Sequence, residues 1–218
     1  MKKLQDCLYK DVCKNKCSTS CIRYIQMSRL LELSNIPKIY KKPLVIYSTD
    51  EDKKAYIRLS GIKNSIKDFV AKGKNLYICS TTCGNAKTTW AIKLMLKYFD
   101  QCWTCSYDIT RGLFIHVPTL LLDLKKFDNM PEYINRIKDA DLVIWDDLAV
   151  GKLTDYEHEQ LLQFIDYRIS TGLSNIYTGN IVDVATLINQ IGARLASRVF
   201  NGSDVVTFYS NDYRAGGK

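Results

Sequence analysis

The sequence contains no apolar run approaching the roughly 18 residues that a membrane-crossing helix needs, which excludes the transmembrane class. Proline and glycine are scarce, 4 and 11 among 218 residues, so collagen-like and Pro/Gly-rich low-complexity chains are excluded as well. Histidine is nearly absent: only His116, on a strand-like stretch, and His158, on a helix-like one, and neither has a motif around it. The opening Met1-Lys2-Lys3-Leu4-Gln5-Asp6-Cys7 lacks the apolar stretch that follows the positive residues of a secretory signal, and a cytoplasmic setting is expected.

What is present is the composition of a globular protein, 46% hydrophobic and 25% charged. The length fits one α/β domain of about 140 to 150 residues with a smaller appendage. Net charge is +8, unevenly spread: residues 1–75 hold 17 Lys/Arg against 7 Asp/Glu, and residues 76–218 hold 14 against 16. A basic amino-terminal third suits an acidic partner, either nucleic acid or an acidic protein face; diffuse lysine on a solvated surface is the bland alternative.

The segment from Ser34-Asn35-Ile36-Pro37 to Lys41-Lys42-Pro43 holds two of the four prolines and no helical periodicity, and reads as a linker. The expected organisation is a partner-contact unit over 1–35, a linker over 36–51 and the main domain over 52–218. Ile22, Ile25, Met27, Leu30, Leu31 and Leu33 have the spacing of a short amphipathic helix expected to pack on a cysteine cluster. Ala55, Leu59, Ile62, Ile66, Phe69 and Val70 predict a second helix over 52–70, ended by Gly73. Beyond it, near-continuous apolar runs at 76–79, 113–117, 142–145 and 175–178 alternate with helical patterns, which predicts a parallel sheet sandwiched by helices.

The first of these strands leads into Ser80-Thr81-Thr82-Cys83-Gly84-Asn85-Ala86-Lys87-Thr88-Thr89 and then into a helix, the setting of a phosphate-binding loop. Such a loop needs converging backbone N–H groups, a lysine for the terminal phosphates and a hydroxyl for Mg²⁺, and Lys87 and Thr88 fill the last two roles. Thr81 and Ala86 replace the two glycines of the usual pattern. Since a Cβ penalises positive φ by about 1 kcal/mol or more, residue 86 is expected near right-handed helical dihedrals. The third strand ends in Asp146-Asp147: Asp146 is placed on the metal and Asp147 on the attacking water, one methylene short of the usual Glu. A pair of carboxylates capping the next turn is the alternative. The fourth strand ends in Gly179-Asn180, where Asn180 could reach both γ-phosphate and water. Arg194 and Arg198 lie four apart on one helical face, as a surface pair or as a finger supplied across a subunit boundary.

Cys7, Cys13, Cys17 and Cys21 are spaced C-x5-C-x3-C-x3-C, and four thiolates in a reducing compartment suit a closed structural Zn²⁺ site. Four unrelated cysteines in a small helical arm is the alternative.

Taken together, Gly84-Asn85-Ala86-Lys87-Thr88-Thr89, Leu142 to Asp147, Tyr177-Thr178-Gly179-Asn180, Arg194-Leu195-Ala196-Ser197-Arg198 and Asp212-Tyr213-Arg214 resemble an AAA+ ATPase. More narrowly, the set is similar to the replicative helicase loaders of the DnaC/DnaI type, including their phage-encoded versions, over about residues 55–214. The four-cysteine arm resembles the zinc-binding, helicase-contacting domain of the DnaI branch. The resemblance implies an AAA+ fold and an ATP-Mg²⁺ site formed by Lys87 and Thr88 (Walker A), Asp146 and Asp147 (Walker B) and Asn180 (first sensor). Arg198 would be the trans-acting finger with Arg194 beside it, and Arg214 the second sensor. It implies a replicative helicase hexamer as partner, single-stranded DNA as a second ligand, and self-association through the AAA+ domain. Thr81, Ala86 and Asp147 depart from the family pattern and point to weak hydrolysis. A nucleotide-binding adaptor with little turnover and an ATPase helper of a transposase are the competing readings.

Overall fold

The computed structural model describes residues 7–9, 13, 18–42, 44–82, 84–104, 109–126, 131–149 and 151–210. Helix α1 spans Ile22–Leu33, α2 Lys53–Asn64 and α3 Ile66–Ala71; strand β1 (Asn75–Ser80) then runs into α4 (Lys87–Cys102). There follow β2 (Gly112–His116), α5 (Val117–Lys126), α6 (Pro131–Asp139), β3 (Leu142–Asp146), α7 (Asp155–Ser170) and β4 (Ser174–Gly179). Helices α8 (Val184–Ile191) and α9 (Ala193–Ala196), a π turn over Ser197–Asn201 and β5 (Asp204–Phe208) complete the order.

The five strands form one parallel sheet in the order β2-β3-β4-β1-β5. Side chains alternate across each strand and so divide the core. Leu76, Ile78, Leu142, Ile144 and Ile176 join a cluster with α1 to α4, whereas Tyr77, Cys79, Val143, Trp145 and Tyr177 join one with α5 to α9. Helices thus cover both faces, as parallel strands buried on both sides require. Four strands fall where the apolar runs predict them. The fifth, β5, has no counterpart in that reading, because its own burial alternates: Val206 and Phe208 are buried while Asp204 is exposed and Val205 and Thr207 half-buried.

The expected helix over 52–70 is broken at Ser65 into α2 and α3, yet the residues it buries are those the periodicity selects. Met27, Leu30 and Leu31 of helix α1 enter the core beside α4, and just past the helix Ser34 O accepts a hydrogen bond from Phe114 N of edge strand β2 at 2.7 Å; the expected packing of this helix on the cysteine cluster involves Cys17, which lies outside the described residues. Asp100 on α4 fastens the arm, accepting from Tyr9 Oη at 2.8 Å, from Lys97 Nζ at 2.9 Å and from Arg23. Burial opposes ionisation of Asp100, but those three donors outweigh it and hold the carboxyl below its ordinary range.

A buried cation locks the other face of the sheet. Arg168 on α7 is fully buried and donates to Ile137 O, Ala140 O and Ser174 O, each at 2.7 Å, and to Asn175 Oδ1 at 2.8 Å. Two of these carbonyls stand at the carboxyl end of α6, where the helix dipole favours positive charge. Burial pushes the guanidinium down to about 10, so it stays charged at neutral pH. Arg168→Met keeps the volume but orphans three buried carbonyls, and a loss of about 3–5 kcal/mol is expected in urea unfolding. A loss below about 1 kcal/mol would mean that the network is not structural.

Candidate nucleotide site

Parallel α/β sheets present their ligand sites at the carboxyl ends of the strands. Here that end opens into a cleft of about 860 Å³ lined by Gly84 to Thr89, His116, Asp146, Asp147 and Asn180. Its other wall comes from the segment expected as a linker: Pro37, Ile39, Tyr40, Val45, Ile46 and Tyr47 line it, with Ile46 the buried one of the last three.

At the floor, Asp146 is 5% exposed and its Oδ1 accepts from two hydroxyls, Thr88 Oγ1 of α4 and Thr178 Oγ1 of β4, each at 2.7 Å. Burial raises the Asp146 carboxyl above its ordinary range; the two threonine hydroxyls lower it, and the neighbouring Asp147 adds to the rise. Thr178 also accepts from Asp147 N at 3.1 Å through its hydroxyl and from Leu148 N at 3.0 Å through its carbonyl, fixing the turn after β3. In that turn Asp147 takes φ +57°, a conformation Asp tolerates better than most residues. Its carboxylate faces His116 Nε2 at 3.7 Å, while His116 Nδ1 pairs with Thr119 Oγ1 at 2.8 Å.

The loop between β1 and α4 is closed by its own side chains. Asn85, fully buried, donates to Ser80 Oγ and to Thr82 Oγ1. Lys87 Nζ donates to Thr82 O at 2.9 Å and to Asn85 Oδ1 at 3.0 Å. Thr82 Oγ1 in turn donates to Ser210 O at 2.8 Å, and Ser210 is held by buried Asp52 ahead of α2. Ala86 corrects an expectation: it takes φ +64° and ψ +17°, left-handed and not right-handed helical. The turn into α4 requires a left-handed residue where the usual pattern has glycine, and the chain bears the Cβ penalty there.

The structure therefore brings Gly84, Asn85, Ala86, Lys87, Thr88, Thr89, Asp146, Asp147 and Asn180 to one cleft. It does not bring Arg194 or Arg198 there. They reach Asp166 of α7 instead, at 3.2 Å from Arg194 and 2.7 Å from Arg198 Nε, and so share one face as their spacing predicts. Arg214 and Cys17 lie outside the described residues. Cys7, Cys13 and Cys21 are described as free thiols, and among the described residues no three His, Cys, Asp or Glu side chains are grouped as a metal site would need. His116 and the apolar wall are the residues sequence reasoning missed. The available signal for His116 was its place at the carboxyl end of a buried strand.

The class is that of an α/β fold, a five-stranded parallel sheet between helices with a phosphate-type loop after β1. Among solved structures, DnaI matches with a TM-score of 0.66 and 19% identity, over 84% of this chain and 98% of that one. The DnaC helicase loader matches with 0.64 and 17%, over 75% and 93%. AMPPCP-bound DnaA from Aquifex aeolicus matches with 0.57 and 14%, over 75% of this chain and 48% of that one. At such identities the likeness is one of fold. No protein-family model and no curated protein matches the sequence.

Replacing Ala86 by glycine relieves the left-handed strain, worth about 1 kcal/mol after the entropy of the freer unfolded chain. Ala86→Gly is expected to raise the melting temperature by about 2–4 °C in a calorimetric scan. A fall in melting temperature would contradict the left-handed assignment.

Proposed function

We propose that the chain is an ATP-binding loader of a replicative DNA helicase, with slow hydrolysis. The observation that carries the nucleotide reading is the junction of Thr88 and Asp146 at the floor of the cleft. A hydroxyl and a buried carboxylate held side by side are the hard oxygen donors that Mg²⁺ prefers. The residues present fit the group: Lys87 and the loop N–H donors for the phosphates, Thr88 and Asp146 for Mg²⁺, and the apolar wall at 37–47 for the base. Bound Mg²⁺ would supply charge neutralisation on the phosphate oxygens. On this reading Lys87 exchanges Thr82 O and Asn85 Oδ1 for phosphate, Asp147 orients the water and Asn180 contacts the terminal phosphate. Arg198, with Arg194, serves a neighbouring subunit's site, in keeping with their position away from their own cleft. Arg214 is proposed as the second sensor.

The loader reading is supported by the fold shared with DnaI and DnaC and by the basic amino-terminal third. The unit 1–35, with zinc on Cys7, Cys13, Cys17 and Cys21, is proposed as the helicase contact, and single-stranded DNA as a ligand of the assembled ATPase. The adaptor reading gains from the short, 37% exposed Asp147 side chain.

Titration of a fluorescent ATP analogue tests the cleft. Lys87→Ala is expected to weaken binding by about 1.5–3 kcal/mol, roughly tenfold to a hundredfold in Kd. Asp147→Asn should keep the affinity and lower turnover about a hundredfold or more. Unchanged affinity in Lys87→Ala sinks the site, and turnover indistinguishable from Asp147→Asn in the unmodified protein leaves the adaptor. Native mass spectrometry with the replicative helicase of the same source tests the partner. A complex with the hexamer carrying about one zinc per loader chain is expected. A folded, nucleotide-loaded protein that forms no complex would move the reading to a transposase helper, and a zinc-free complex would remove zinc alone.

A further inference from the structure

Away from the cleft, a second concavity of about 390 Å³ lies between the amino-terminal arm, α2 and the second half of α4. Four lysines ring it: Lys42, Lys63, Lys93 and Lys97. Its floor is aliphatic, from Leu8, Leu44 and Leu96. Among the described residues Asp100 is the single carboxylate in the lining, and it is already engaged by Lys97, Tyr9 and Arg23. Among the described residues no carboxylate lies within ion-pair distance of Lys42, Lys63 or Lys93. Lys63 and Lys93 are half-buried, so the bland account of a freely solvated lysine face does not hold for them. Burial, and then the charge of Lys63, pull the Lys93 ammonium below its ordinary range. An incoming anion would relieve both.

We propose that this groove is a docking site for an acidic peptide segment of a partner protein, its carboxylates on the lysine rim and one or two leucine-like side chains on the aliphatic floor. Charge complementarity selects the occupant. The chain's own segments outside the described residues do not supply it: 1–6, 10–12 and 14–17 carry Lys2, Lys3, Lys10, Lys14 and Lys16 against Asp6 and Asp11, 211–218 carries Arg214 and Lys218 against Asp212, and the four-residue stretches 105–108 and 127–130 hold one carboxylate each, Asp108 and Asp128, where several are needed. A single strand held through its bases calls for an aromatic platform on which they stack. The one aromatic in the lining among the described residues, Tyr9, has the Arg23 guanidinium 3.7 Å from its ring centroid and its hydroxyl bound to Asp100. Two of the four lysines, Lys42 and Lys63, come from the basic first third of the chain and two from α4, and the site does not depend on the nucleotide reading.

The test is fluorescence anisotropy with the full chain, without nucleotide, at two salt concentrations. The probes are a short labelled peptide of glutamates interspersed with leucines, an all-glutamate peptide of equal length, and an oligothymidylate. The mixed peptide is expected to bind tightest. The paired substitution Lys63→Glu with Lys93→Glu should weaken it about tenfold or more, and Lys63→Gln with Lys93→Gln by less. Lys72→Glu, an exposed charge reversal in the same basic third, should change little. The glutamine pair gives the readout if the reversed pair lowers the melting temperature. Equal losses in Lys72→Glu would mean diffuse attraction and overturn the site. Equal binding of both peptides would remove the aliphatic floor. Tighter oligothymidylate binding, lost in the same variants, would make the groove a nucleic-acid surface, and absence of mixed-peptide binding would refute it outright.

Discussion

The buried carboxylate of Asp146 is the constraint around which the cleft is built. A carboxylate at this depth is costly unless its lone pairs are met, and they are met by hydroxyls from two distant segments, Thr88 and Thr178. That pairing fixes the start of α4 against the ends of β3 and β4. It is made across neighbouring strands, with β4 lying between β3 and β1. The turn after β3 hangs from the same Thr178, so the direction of Asp147 follows from one hydroxyl and one carbonyl.

The phosphate-type loop reaches its closed form by side-chain bonds more than by glycine. Only Gly84 remains of the flexible positions, and Ala86 sits in the left-handed region in spite of its Cβ. Bonds from Asn85, Lys87 and Thr82 offset that strain, and through Ser210 and Asp52 they tie the loop to the end of β5 and the start of α2. A ligand that takes Lys87 from Thr82 and Asn85 would therefore act on contacts that reach beyond the loop itself.

The amino-terminal arm is part of the same architecture. Its helix buries Met27, Leu30 and Leu31 beside α4, and Asp100 gathers Tyr9, Arg23 and Lys97. Helix α4 thus carries the nucleotide-type loop at its amino end and the lysine-rimmed groove along its later turns. The stretch after α1 first lies on the edge of β2 and then walls the cleft, so a proline-bearing segment without periodicity has a definite place.

The sequence by itself determined the local pieces. Apolar runs placed four buried strands, three- and four-residue spacing selected the residues that α2 and α3 bury, and the neighbourhood of Lys87-Thr88, Asp146-Asp147 and Asn180 marked the strand ends that meet in the cleft. These are legible because they depend on periodicity and on chemistry within a few residues. Tertiary structure alone decided the rest. β5 alternates between buried and partly exposed positions and carries no continuous run to find. His116 gains its setting only from β3 alongside it, and the 37–47 wall only from the cleft it closes. Ala86 takes a left-handed conformation because the strand-to-helix turn demands it, against its own preference. Arg194 and Arg198 face Asp166 because α7 passes there. In each case the deciding partner is tens of residues away, or the backbone demand arises from packing, and neither leaves a mark in the local sequence.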